Sequence, residues 1–311
     1  MLSRFPHALA TLERAAKLLP NSAEVTLTRA FLYRRFGRWQ EAYAQFERAT
    51  ELNPQDPTGY YSGADIARGL RWWDEADRLR TRLIKRFPRM TRGARLEEAI
   101  SLRWRGEVDA GNKLMETLNL NERSEEFVPL FYRSFWKRDY QECRRLLAEA
   151  AKHPDLERDR WEKELKLAFV TKTTGPKQAA LEAEKQLEER LRHSVIRDEG
   201  ELTDTLSCVK FILGKKEEAV RLCEQSVEKH PLSEDALVNG DRVKWLAYAY
   251  IYAGDHERAL QSFAKLVQIP FGEYYGPLNY EPVFDELRKD PRFEEILKQS
   301  QKPFPRVQTS G

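Results

Sequence analysis

Pro20, Pro54 and Pro88 stand 34 residues apart, and two other columns keep the same step: Ala8, Ala42 and Ala76, then Phe5, Trp39 and Trp73. A step of this length marks one supersecondary unit written several times. A unit that small cannot bury its own apolar face, so it must stack on its neighbours. The stretch GRWQEAYAQFERATELNP (37–54) returns later as GDHERALQSFAKLVQIP (254–270), with glycine, alanine, phenylalanine and proline in the same order. Ala30 and Ala64 fall where a first helix lies closest to a second, and Ala42 and Ala76 face them, because only a small side chain permits that approach. Tyr33, Trp39 and Phe46 fill the wedge between helices and the next unit. Gly37 sits at the turn, where a residue without Cβ takes a left-handed conformation. Pro54 stands where the second helix must stop. No segment alternates with period two, so helix is expected nearly throughout.

With this period and these residue types the chain resembles the tetratricopeptide repeat family. The resemblance implies an all-α, right-handed superhelical solenoid of about eight helix–turn–helix repeats. Residues 1–118 hold regular repeats, the first without its first helix, and 119–200 hold degenerate ones. Residues 201–270 return to the pattern, 271–299 form a C-terminal cap, and 300–311 form a flexible tail. In the cap, Pro282 and Pro291 suit first-turn positions and Asp290 suits an N-cap. Phe284, Leu287, Phe293, Ile296 and Leu297 are placed to cover the last repeat. The missing first helix leaves an apolar face, to be covered by an upstream domain or a second subunit. The DPRFEEIL-type ending resembles the close of repeat arrays in bacterial multidomain signalling proteins.

Composition narrows the classes further. Charged residues make up 33% and hydrophobic residues 41% of 311, which favours solvent-facing helices over a sheet-rich core. The most apolar stretch, WLAYAYIYA (245–253), is too short to span a bilayer, and Glu13 interrupts any secretory h-region, so neither membrane nor secretion is expected. Cys143, Cys208 and Cys223 form no close-spaced pair, which points to reduced thiols in the cytoplasm. None of the five histidines shares helical i, i+4 spacing with another histidine or a cysteine. LGKKEE (213–218) and TTGPKQ (173–178) lack the glycines of a phosphate-cradling loop. No catalytic residue, cofactor or metal is expected.

Residues 1–118 carry 21 Lys+Arg against 15 Asp+Glu, mostly as arginine. The first helices of such an array line its concave side, and there the repeats place Phe31, Arg34, Arg35, Tyr61, Arg68, Arg103, Trp104, Tyr132 and Trp136, together with Ile100 and Phe135. Guanidinium groups interleaved with rings suit an acidic peptide or a partner helix. The arginines also suit the C-terminal ends of first helices, and the rings suit packing between repeats. Some family members hold a partner's terminal carboxylate with lysine and asparagine; Leu27 and Phe31 stand at the corresponding positions, which argues against that clamp. The expected function is therefore a non-catalytic protein–protein interaction module. Nucleic-acid binding through the arginine-rich half is the alternative, diluted by Asp65, Glu97 and Glu98. An enzyme with its site in residues 119–200 would require a concave cavity with convergent buried titratable groups.

Overall fold

The computed structural model describes the backbone of residues 4–193 and 196–306, and the side chains of all of these except residues 4–6 and 196–198. The side chain of Phe5, of the repeating column, and residues 307–311 of the expected tail therefore lie outside what is described. Among the described residues there are 17 α-helices and no strand. A lone helix, α1 (Arg4–Leu18), is followed by seven hairpins: α2 (Ala23–Arg35) with α3 (Trp39–Leu52), α4 (Thr58–Gly69) with α5 (Trp73–Arg86), α6 (Thr91–Trp104) with α7 (Val108–Glu116), and α8 (Phe127–Trp136) with α9 (Tyr140–Ala150). The series continues with α10 (Glu157–Thr171) and α11 (Lys177–Arg192), α12 (Ile196–Ile212) and α13 (Lys216–Lys229), and α14 (Asn239–Ala253) and α15 (His256–Leu266).

The seven turns share one geometry. Each has a left-handed residue, at Gly37, Arg71, Gly106, Arg138, Lys172, Gly214 and Gly254. At each, the following amide reaches back to the carbonyl five residues earlier: Arg38 to Tyr33 (2.9 Å), Trp72 to Ala67 (2.8 Å), Glu107 to Leu102 (2.8 Å), and so on to Asp255 with Tyr250 (2.9 Å). This 6→1 bond is the Schellman closure, which satisfies carbonyls that a helix end would leave unpaired. The alanine columns are buried as expected: Ala30, Ala42, Ala64 and Ala76, with Tyr33, Trp39 and Phe46 packed around them. At the array's start α1 leaves Leu18 and Leu19 exposed.

Buried residues fall into two apolar clusters. One runs from Ala30 to Ala94 and the other from Phe127 to Ile296. The C-terminal segment bridges them. After α15 the chain passes through α16 (Tyr275–Tyr280), two 3-10 turns (Pro282–Phe284 and Leu287–Lys289) and α17 (Pro291–Gln301). Phe284, Leu287, Phe293 and Ile296 are buried against the last hairpin, Leu297 packs beside them, and Asp290 caps α17 by accepting from the Arg292 amide.

This segment also runs along the turns of the early hairpins. The Phe271 amide donates to Gly69 O (3.3 Å), and Tyr280 OH donates to Gly106 O (3.4 Å). Arg138 pairs with both oxygens of Asp285 (2.8 and 2.9 Å). Ahead of α14, the Ala236 amide donates to Arg35 O (2.7 Å) beside the first of these turns. Residues 300–306, expected to fray, are docked instead. The Phe304 amide donates to Leu70 O (3.1 Å), Trp72 Nε1 donates to Phe304 O (2.7 Å), and Gln40 Nε2 donates to Pro305 O (2.8 Å). The reason is local: the α4–α5 turn offers an unused carbonyl and an indole donor, and Pro303 and Pro305 keep the chain extended without needing acceptors for their own nitrogens.

Candidate binding cavity

The C-terminal segment closes part of the concave side. Tyr274 stacks on Trp104 (centroids 4.5 Å apart, planes 19° apart), and Tyr280 stacks on Trp136 (5.9 Å, 20°). Gly276 lets the segment approach this closely: a Cβ there would stand 2.9 Å from the Trp104 Cα and nearer still to the Arg103 carbonyl oxygen. What remains is a cavity of about 330 Å³ bounded by α6, α8, α10, α12, α14 and the covering segment. That is at the small end of the range for organic-ligand pockets.

Of the nine expected groove residues, Arg103, Trp104, Tyr132 and Trp136 line this cavity; Phe31, Arg34, Arg35, Tyr61 and Arg68 do not. Arg35 pairs with Asp235 of the loop before α14. Arg68 pairs with Asp65 and with Glu97 (2.5 Å) and lies over the Trp104 ring at 4.8 Å. Arg34 lies over the Phe31 ring at 4.8 Å, and its Nε has no hydrogen-bond partner. Tyr61 is 47% exposed. Phe135 is wholly buried in the second cluster, so its role is packing.

The cavity floor is built from groups that the repeat grammar did not mark. Lys166 on α10 pairs with Glu281 of the covering segment (Nζ to Oε1, 2.7 Å), and both are almost fully buried. Tyr248 on α14 is positioned to donate to Glu281 (2.9 Å) or Glu273 (3.1 Å). Tyr132 donates to Glu162 (2.9 Å), which also pairs with Lys163 (3.0 Å). Burial alone would raise the Glu162 carboxyl, but Lys163 and Lys166 overcome it and hold the group down at about 2. Glu273 has no such neighbour in contact, and burial pushes its carboxyl up toward the neutral form. The buried phenols of Tyr132 and Tyr248 are pushed well up for the same reason, reinforced by the carboxylates around them. No signal in the sequence sets Lys166 apart from the surface lysines of a charged helix; its burial shows only in the fold.

Arg103 is different. Its side chain is only 3% exposed, and its guanidinium lies over the Trp136 ring at 4.3 Å. Nη1 has a long bond to Pro129 O (3.4 Å) and a contact with the Met115 sulfur, while Nε and Nη2 have no partner. Burial, with Arg133 adding to it, lowers its affinity for a proton to about 9. At the mouth, Arg158, Asp204, Asp241 and Lys244 mix both signs. Burial pushes the Asp204 carboxyl up to about 7 against the pull of Arg158 and Arg242.

A cavity with convergent buried titratable groups thus exists where no sequence motif marks one. Its Lys–Glu–Tyr floor is internally hydrogen-bonded. The Cys208 thiol at its wall is pushed well above its ordinary range by burial, the opposite of an activated nucleophile. Among the described residues no helix is long and apolar enough to cross a membrane.

A tetratricopeptide repeat family model matches residues 245–269. No curated protein matches the chain. Similar solved structures include a tetratricopeptide repeat protein from Parabacteroides merdae, at 13% identity over 96% of this chain and 93% of that one, with a TM-score of 0.33. The tetratricopeptide domain of P58(IPK) aligns at 14% identity over 96% and 93%, with a TM-score of 0.26. Naa15/Naa10 bound to HypK-THB aligns at 15% identity and a TM-score of 0.32, over 96% of this chain but only 56% of that one. The matched residues fall on α14 and α15, and the six hairpins before them close their turns in the same way. Residues 245–269 carry a tetratricopeptide repeat, and the chain as a whole is similar to tetratricopeptide repeat proteins.

Proposed function

We propose that this chain is a non-catalytic recognition module that holds a protein partner on the part of its concave side left open by the C-terminal segment. The tetratricopeptide fold is in general a protein–protein interaction module, and the repeat family is typically non-catalytic. The observation that carries the reading is Tyr61, a large aromatic left 47% exposed on a first helix. Arg34, on the first helix of the preceding hairpin, keeps a guanidinium nitrogen without a partner. A ring and a guanidinium on successive first helices suit a partner segment carrying an acidic side chain and an apolar one. Arg35, Arg68 and Arg103 drop out of this surface, because the first two are paired within the chain and the third lines the cavity.

The cytoplasm suits three buried, free thiols. Exposed Leu18 and Leu19 support a further domain or subunit seated on α1, and the sequence ending supports a place in a signalling assembly. A photocrosslinking residue at position 61 tests the surface. A partner should be captured there and lost on Arg34→Glu, with helicity unchanged. Equal capture from a probe at Lys113, on a second helix, would refute it.

A further inference from the structure

We infer that the enclosed cavity is a binding site for a small monocarboxylic acid with an aromatic or aliphatic body, its carboxylate meeting Arg103 and its body lying among Trp104, Trp136 and Trp245. The site is separate from the open surface assigned to a protein partner, so either can fail alone. The argument starts from charge. On the floor, Lys166 is matched by Glu281 and Lys163 by Glu162. Glu273 accepts from Tyr248 and from the Tyr274 amide rather than from Arg103. Arg103 is left with two buried donors and no carboxylate in contact. Interiors rarely keep such a group unpaired, and an apolar side chain would fill the space at lower free-energy cost. An arriving carboxylate supplies the missing charge and accepts from both free donors, the geometry for which a guanidinium fork is suited.

Three further features fix the class. One guanidinium is left without a carboxylate in contact, which suits a monoanion. At the mouth Arg158 and Lys244 are offset by Asp204 and Asp241, so the mouth adds no surplus of positive charge to draw a polyanion. The indole walls and a volume of about 330 Å³ suit a body the size of one ring or a short chain.

Phenylacetate, its neutral analogue phenylacetamide, and inorganic phosphate are the probes, titrated into the full chain with tryptophan fluorescence and thermal midpoint as readouts. Phenylacetate should give a saturable change and raise the midpoint. Phenylacetamide should bind at least about tenfold more weakly, the equivalent of one charge-assisted contact. Arg103→Met should abolish the preference for acid over amide, and Arg103→Lys should restore part of it. The acid–amide comparison on the unaltered protein stands even if a variant fails to fold. Equal response to acid and amide, a preference that survives Arg103→Met, a response to phosphate in place of phenylacetate, or no saturable response below about 10 mM would each overturn the assignment.

Discussion

At the residue scale the turns carry the most information. Four of the seven left-handed positions are glycine, and the other three are Arg71, Arg138 and Lys172. A side chain there costs roughly 1 kcal/mol, and two of the three put it to visible use across the molecule. Arg71 is almost fully buried and donates to four backbone carbonyls, those of Val267, Glu273, Gln299 and Lys302, at 2.9 to 3.2 Å. Arg138 makes its bidentate pair with Asp285, but both partners are roughly half exposed. The two should therefore respond in opposite ways. Arg71→Lys cannot span four carbonyls and should cost at least about 3 kcal/mol in denaturant unfolding. Arg138→Gly loses a solvent-screened pair and relieves the left-handed strain, so it should stay within about 1 kcal/mol of the unaltered protein. Comparable losses at both sites would show that Arg71 is no special anchor. Asp204 gives a pH signature. Its carboxyl is raised from the ordinary range to about 7 in the fold, so the folded state binds the proton more tightly than the unfolded chain does. Its contribution to stability is then fully present below the unfolded value of about 4 and is lost as pH rises through about 7. Asp204→Asn, which stays neutral, should gain in thermal midpoint over the unaltered protein as pH goes from 5 to 8. A gap that is constant or shrinks with pH would show that the carboxyl is already ionised at pH 5.

At the element scale, the hairpins were legible and their covering was not. The 34-residue step located α2 to α5 because proline, alanine and glycine columns each express one steric requirement. The later turns kept only the glycine at 106, 214 and 254. At Arg138 and Lys172, in the stretch read as degenerate, a cation took the glycine's place although the backbone had not changed. Arg71 and Arg138 were themselves the trace of the C-terminal segment, since both hold partners within it. Residues 267–306 lack any repeat of their own, so periodicity could not assign them a path. Their docking rests on single long-range bonds such as Trp72 to Phe304, which leave no spacing in the sequence. The groove fared in the same way. Arg103 and Trp104 were placed on the concave side by column, whereas Glu273 and Glu281 come from outside the array and Lys166 reads as one more surface charge.

At the scale of the whole molecule, an open repeat array is a nearest-neighbour system in which distant hairpins do not touch. Here residues 235–306 reach the turns of the first four hairpins and connect the two apolar clusters, Phe271 and Phe304 packing with the first and Leu278 and Phe284 belonging to the second. Contacts between positions some two hundred residues apart, such as Arg71 with Val267, turn a linear array into a closed one. Closure also accounts for the modest basic surplus of the first half: much of its arginine is spent on carboxylates within the array or on this segment, which leaves no uninterrupted stripe for a phosphate backbone. Unfolding should then be a single transition, with the hairpins α2–α5 and α14–α15 losing hydrogen-exchange protection together. Gly276→Ala tests the cause, because a methyl group there meets the backbone of Arg103 and Trp104, which cannot rotate away. It should cost about 1–3 kcal/mol and separate the two clusters, α2–α5 exchanging first. Gly214→Ala is the control: it has open space around it but a left-handed backbone, so it should lose about 1 kcal/mol and leave the transition single. If α2–α5 already exchange ahead of α14–α15 in the unaltered protein, the segment rests on the array without coupling its ends.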